Sequence, residues 1–484
     1  MLEQIQHVVV LMLENRSFDH MLGLLYRDRQ NVSLAGQPFE GLTGHETNLD
    51  AHGTSVAAFA IDHTQPLAYF MPGADPGEGY QQTNMQLFGA LSAPSAPVAT
   101  NAGFVKDFDS TISWDKNNHR SVLAGTVAKN IMGMFPPAML PVLSGLARGY
   151  AVCDHWFSSA PTETMPNRAF VCAATSQGHL DDKTKSFTAP SIFGLLGQHG
   201  LAWAIYGYDQ EPLTRLDFPD TIAASDDHFG LFKDFQDAAQ KGTLGAYTFL
   251  EPSWSSTGNS QHPNYDVALG EQLIHDVYYA LRNGPGWNAT LLIITYDEHG
   301  GCYDHVPPPQ GAVTPDAAVG EFGFDFKRFG VRVPTVLVSP RIAQGTVLRA
   351  AAGKTPFDHT SILKTVETRW KLPALTARDK AAPDVGSIVT LATPRTDDPL
   401  EGVVVPVSKT ASPHSDADPP SHLQEIHADL VAALPVPDAK GVTQHVMPAL
   451  KTGADYASYI RTRTAEWKAS RARAAAPRQP ARGR

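Results

Sequence analysis

Cysteine is scarce in this chain. Its three cysteines, Cys153, Cys172 and Cys302, form no CxxC pair and no disulfide framework, which leaves them as small buried hydrophobes. Long apolar runs are missing as well. The longest are strand-sized, far short of the roughly 20 residues that span a bilayer, so no transmembrane segment is expected. The opening MLEQIQ carries no basic region ahead of its apolar run. It does not read as a signal peptide, and the expected location is cytoplasmic. Positive charge is in deficit, with 38 Lys and Arg against 49 Asp and Glu and a formal net charge of −11. That argues against a nucleic-acid binder, which usually shows a basic face. It leaves an anionic substrate open, because a bound metal reverses the local field. No internal repeat and no compact metal signature such as HExxH is present.

What is present is a series of short β-branched runs, each closed by polar or turn residues. They are HVVVLML (7–13), YAVCDHWF (150–157), LAWAIYG (201–207), AYTFLEP (246–252), TLLIITYDE (290–298) and VPTVLVSP (333–340). Helix-like stretches lie between them, among them DVALGEQLIHDVYYALRNG (266–284) and HTSILKTVETRW (359–370). The alternation predicts an α/β fold, a mostly parallel central sheet flanked by helices. Loops near 28–60, 72–120 and 208–245 are long and rich in Gly, Pro and Asp, as loops that build a site or a lid are. Composition shifts near residue 394. The Pro-, Asp- and Ser-rich stretch that follows reads as a linker or an extended wrap. Helices are expected at 421–434 and 455–476, and the basic RARAAAPRQPARGR reads as a frayed tail. A weak alternative for that tail is attraction to an anionic membrane surface. The chain thus divides into a domain over 1–394 and a helical extension over 395–484.

Ligands of doubly wound sheets bind beyond the carboxyl ends of the strands. Three of the expected strands end in chemically loaded residues. VVVLML stops at Glu14-Asn15. TLLIITY stops at Asp297-Glu298, followed by His299, Gly300 and Gly301. The run at 150–157 leads into SSAPTETMPNRAF. Parallel strands would bring these ends to one edge; the alternative is that Glu14 and Asp297 cap the helices after them. In TETMPNRAF, Pro166 suits the first turn of a helix. Thr164 would sit just before that helix, where free N–H groups and a positive dipole end await an anion. A hydroxyl there, beside a divalent metal, can attack phosphorus. Thr162 competes by the same logic. Arg168 is placed to grip non-bridging oxygens as a fork. Glu14, Asn15, Asp297 and Glu298, with Thr164 as a fifth ligand, form an oxygen set that favours Mg²⁺, Ca²⁺ or Mn²⁺. Among the histidines, His262 in SQHPNYD leads, as an acid for the leaving oxygen or a cation for phosphate. His359 follows it, and His299 and His305 lie near the same segments.

Read in order, IQHVVVLMLENRSFDHMLG, TETMPNRAF, QHPNYDVALGEQL, ITYDEHGGCYDHVPPP and VPTVLVSPRI with FDHTSILKTVETRW resemble one family. It is the phosphoesterase family of bacterial non-haemolytic phospholipases C, plant non-specific phospholipases C and related bacterial acid phosphatases. The resemblance runs from residue 5 to about 370. It implies an alkaline-phosphatase-like core and a metal held by Glu14, Asn15, Asp297 and Glu298. It also implies Thr164 as nucleophile and metal ligand, and His262 as the active-site histidine. Two positions depart from the pattern. In DPGEGYQQTNMQLFG, Glu78 stands where plant-like members have histidine, which makes this site less cationic. Cys302 stands where relatives often have an aromatic residue. The function implied is a metal-dependent phosphoesterase, foremost a phospholipase C acting on phospholipids through a phosphothreonine intermediate. Its apolar mouth would come from residues 60–104, and peripheral membrane contact would follow. An acid phosphatase acting on phosphate monoesters is the alternative, and a non-catalytic metal- or phosphate-binding protein is the alternative of another class.

Overall fold

Eight strands build the main sheet of the computed structural model, which describes residues 1–95, 97–183, 187–436 and 446–475. In chain order they are β1 (His7–Leu13), β2 (Ala151–Cys153), β3 (Trp203–Gly207), β4 (Phe229–Leu231), β5 (Tyr247–Leu250), β6 (Thr290–Tyr296), β7 (Thr335–Val338) and β8 (Thr346–Leu348). Their spatial order is β8-β2-β7-β6-β1-β5-β3-β4. Every pairing is parallel except those of β7, which runs antiparallel to both β6 and β2. The central strands read as unbroken apolar runs because both of their faces are covered. All seven residues of β6 are buried, as are six of the seven in β1.

Register decides where the site lies. β1 pairs with β6 from His7 opposite Thr290 to Leu13 opposite Tyr296. The two strands therefore finish level, and Glu14 and Asp297 leave the sheet side by side.

Six helices matter below: α1 (Pro141–Gly149), α2 (Thr164–Ala173), α3 (Val267–Arg282), α4 (Thr360–Trp370), α5 (His422–Ala432) and α6 (Gly453–Ala475). α2 begins at Thr164 itself, with Glu163 as its N-cap, rather than one residue later. Pro166 does fall in its first turn. The run at 150–157 breaks after β2. Trp156–Phe157 turns away to pair with Phe357–Asp358, which carries α4 toward the site. The short strands β4 and β8 add edges that the sequence reading lacked. Positions 476–484 of the basic tail lie outside the described residues.

The C-terminal segment joins the body rather than standing off it. Leu423, Ile426 and Leu430 of α5 and Ile460 and Trp467 of α6 share one apolar cluster with Met165 of α2, Leu213 and Trp254. Among the described residues, no helix is long and apolar enough to cross a membrane.

Candidate active site

The level ends of β1 and β6 are knitted together by their own backbones. The Asn15 and Glu298 N–H groups both donate to Asp297 Oδ1, at 2.9 and 2.8 Å. Asn15 turns with a positive φ of 56°. Gly300 passes so close that a Cβ there would lie 2.0 Å from the Asn15 carbonyl oxygen, so only glycine fits. Thr164 Oγ1 donates to Asn15 Oδ1 at 3.0 Å, and Asn15 Nδ2 donates to Glu78 Oε2 at 2.5 Å. Glu14, Asn15, Glu78, Thr164 and His262 line a small pocket at this point. Asp182 and Tyr265 complete its floor and sides, and Ser421, His422 and Leu423 of the α5 end reach into it. Asp297 and Glu298 lie behind, both fully buried.

Several residues named from sequence hold this pocket rather than line it. Arg168 donates from Nε to Asp297 Oδ2 at 3.1 Å and lies 4.5 Å over the Trp254 ring. The guanidinium is 1% exposed, and at that depth it needs a counter-charge within reach. The fork expected to grip phosphate is therefore engaged with Asp297. His359 Nδ1 accepts from Trp156 Nε1 at 3.3 Å, so its Nε2 carries the proton and donates to the Asp297 carbonyl at 2.5 Å. Burial lowers its pKa to about 4, which keeps the ring neutral in this positioning role. Thr162 donates to the Leu180 carbonyl and does not line the pocket, which leaves Thr164 as the pocket-lining hydroxyl of the two. His299 Nε2 is bonded to Gln86 Oε1 at 2.7 Å. Cys302 is a buried free thiol, pushed up to about 12 by burial.

Two holders were given no role from the sequence. Arg16 donates to the carbonyls of Gln261 and His262 and so fixes the loop that presents His262. Asn167 donates to the carbonyls of Thr162 and Glu163 and accepts from Ala160 N, which knots the threonine loop. The signal for both was their place inside ENR and PNR, beside residues with obvious chemistry.

The pocket concentrates acid. Burial, with the charge of Asp297, pushes Glu14 up to about 8. Burial pushes Asp75 to about 7. It lifts Glu78 and Glu298 well above the carboxylate range, helped by neighbouring carboxylates. Glu298 Oε1 is buried with no hydrogen-bond partner. A buried carboxylate oxygen without a donor, among other acids, an amide and a hydroxyl, is the donor set of a hard divalent cation. Of the set expected from sequence, Glu14, Asn15 and Thr164 line the pocket, while Asp297 spends both oxygens on Asn15 N, Glu298 N and Arg168, and Glu14, Asp297 and Glu298 do not bring their ligand atoms within 4.8 Å of one another. The group at this pocket that does is Asp75, Glu78 and His262, each with one ligand atom within 4.8 Å of the others. Asp75 was not singled out from the sequence. His262 donates from Nδ1 to the Pro263 carbonyl at 3.0 Å, and its Nε2 sits 3.7 Å from Asp75 Oδ1. Burial lowers its pKa to about 4, so the ring meets the pocket as a neutral base, not as a standing cation.

Asp19, Asp304 and His305 form a second acidic group of similar spacing. Here Arg332 intervenes, donating to Asp304 Oδ1 and Asp19 Oδ1, both at 2.9 Å. His305 Nδ1 meets Asp19 Oδ2 at 2.6 Å. This group ties FDHMLG to YDHVPPP as a closed ionic clamp.

A model of the phosphoesterase family matches residues 5–373. Non-specific phospholipase C6 of Arabidopsis thaliana is 37% identical over 433 residues, covering 85% of this chain and 78% of that protein. Non-specific phospholipase C4 of the same plant is 35% identical over 451 residues, covering 88% and 79%. Phospholipase C A of Mycobacterium tuberculosis is 27% identical over 444 residues, covering 81% and 78%. Among solved structures, the lipoteichoic acid synthase LtaP from Listeria monocytogenes overlays with a TM-score of 0.34 at 13% identity. That overlay covers 52% of this chain and 70% of that one. The matched span includes both strand ends, the threonine loop and the His262 loop: the chain belongs to the phosphoesterase family and is a phosphoric ester hydrolase.

Proposed function

We propose that the protein is a metal-dependent phospholipase C, cleaving the glycerol-side phosphodiester of phospholipids through Thr164. The observation that carries this reading is the Thr164 hydroxyl, held by Asn15 at the level ends of β1 and β6 and facing a pocket with a neutral His262. The relatives named as phospholipases C support the substrate class.

Glu14, Asn15, Thr164, Asp297 and Glu298 would hold the divalent cation, which when bound would supply Lewis-acid polarisation of a phosphoryl oxygen. Thr164 Oγ1 attacks phosphorus, the bond to the glycerol oxygen breaks, and the head-group phosphate stays on Thr164. His262 Nε2 takes the threonine proton and passes it to the departing glycerol oxygen. Water then attacks the phosphothreonine, giving its proton to Nε2, which returns it to Thr164 as the phosphorylated head group leaves. Arg168 and His359 act through Asp297, fixing its carboxylate and its carbonyl. Acting on a bilayer requires peripheral contact with its surface.

The test runs wild type and Thr164→Ala, with divalent metal, on phosphatidylcholine vesicles and on a soluble aryl phosphate monoester. Phosphocholine release that falls by roughly 10³-fold or more in kcat in the variant is the expected result. Cleavage of the monoester alone makes the enzyme an acid phosphatase. Normal turnover by the variant overturns the nucleophile, and phosphate retention without turnover of either substrate points to a binding protein.

A further inference from the structure

The pocket must receive a phosphoryl group, which is negatively charged, yet Glu14, Glu78 and Asp182 line it. Arg168 lies nearby but is bound to Asp297 and does not line the pocket. Two lining side chains can carry positive charge, His262 and His422. The first is buried, with its Nδ1 spent on the Pro263 carbonyl and its Nε2 toward Asp75. The second is the first residue of α5, in the extension that the sequence reading set apart as a linker with helices.

His422 is firmly placed. Its Nε2 lies 3.4 Å from Asp182 Oδ2, and Asp182 Oδ1 in turn accepts the Met165 N–H at 2.7 Å, beside Thr164. Ser421, the α5 N-cap, donates to the Trp254 carbonyl at 2.5 Å, and its hydroxyl accepts from Gln424 N at 3.1 Å. The stretch leading to α5 grips the His262 loop as well. His414 Nε2 donates to the Asn264 carbonyl at 2.8 Å, and Ser408 donates to Asp266 Oδ1 at 2.6 Å. Half of the His422 side chain remains exposed, so the ring stands at the mouth and is not sealed inside. Burial works against its charge, but the negative charge of Asp182, with that of Glu163 and Glu425, outweighs it and raises its pKa.

We propose that His422 is the residue of this pocket that recognises the negative charge of the incoming phosphoryl group, which makes the C-terminal helix pair a working wall of the active site. The proposal rests on the phosphoester reading above for its substrate. The recognised chemistry is a phosphate oxyanion, whether on a lipid or free. The imidazolium meets it from the solvent side while the carboxylates behind are reserved for a cation.

The experiment compares wild type, His422→Gln and His422→Lys in the full chain, with divalent metal present. It measures binding of inorganic phosphate by calorimetry, and kcat and KM on a soluble phosphodiester. The glutamine variant keeps a polar side chain without charge, and the lysine variant restores charge. Loss of one charged hydrogen bond corresponds to roughly 10- to 100-fold. His422→Gln is expected to weaken phosphate binding and raise KM by that range, with kcat changed by less than about threefold. His422→Lys is expected to recover most of the phosphate affinity, and both variants are expected to melt near wild type. Unchanged phosphate affinity in His422→Gln overturns the proposal. So does equal weakening in both variants, because charge would then not be the cause. If wild type cleaves no ester yet His422→Gln still loses phosphate, the phospholipase reading fails and the role of His422 stands.

Discussion

Asp19 and Asp304 are as deeply buried as Asp297 and Glu298, all at 0% exposure, yet the two pairs are treated in opposite ways. In the clamp, Arg332 bonds to both carboxylates and His305 adds a third contact. Burial lifts Asp304 only to about 6, because the Arg332 charge opposes it. Behind the pocket, Arg168 answers Asp297 and nothing answers Glu298 Oε1. Glu14 accordingly rises to about 8. Taking a carboxylate out of water costs several kcal/mol unless a partner compensates. The clamp compensates inside the protein and is structure. The pocket leaves the compensation to what binds there.

The contrast is broken or sharpened by four measurements. Arg332→Met strips the clamp of its cation and is expected to cost about 3–5 kcal/mol in denaturant unfolding. A loss below about 1 kcal/mol would show that the clamp is not the compensated partner it is taken for. Next comes the cation itself. Adding Ca²⁺, Mg²⁺ or Mn²⁺ to chelator-treated protein at about 100 times its Kd is expected to stabilise by about 2.7 kcal/mol, read as a rise in Tm. Glu298→Gln is expected to abolish that rise. In chelator, the same variant is expected to be neutral or more stable by about 1 kcal/mol, opposite in sign to Arg332→Met, since it replaces a buried carboxyl that has no partner at Oε1 by a neutral amide.

The smallest effect belongs to a third arrangement. Glu271 on α3 accepts the Val142 and Leu143 N–H groups of α1, at 2.7 and 3.0 Å. Burial raises its pKa to about 8 from 4.5, the neutral donors opposing it only in part. A carboxyl whose folded pKa is raised contributes stability that is complete below pH 4.5 and is lost as pH rises through 8. Wild type is therefore expected to lose more Tm than Glu271→Gln between pH 5.5 and 8, by roughly 2 °C. An equal pH response in both would remove Glu271 from this series.

The sheet was legible because its central strands are apolar on both faces, and the loaded residues mark where each strand stops. That is why Glu14, Asn15, Asp297 and Glu298 could be placed together before any coordinate. Strand direction was not legible: TVLV of β7 reads the same either way, and it runs antiparallel. Nor was side-chain aim. Arg168 and His359 sit in the expected segments, but their partners on Asp297 depend on where α2 and α4 meet the end of β6. Glu78 was read as making the site less cationic, and it does line the pocket as an acid. The imidazole of His422, in the same pocket, comes from a segment more than 300 residues later. Local spacing cannot report a contact between segments so distant in the chain.

The order in which the chain emerges during synthesis gives that long separation a temporal meaning. Both acidic strand ends exist once residue 298 has been made, and the last strand of the main sheet once residue 348 has. The pocket wall at Ser421, His422 and Leu423 arrives only afterwards. Thr164 is thus made well before the wall that faces it, and the pocket stays open on that side until residue 423 has been added.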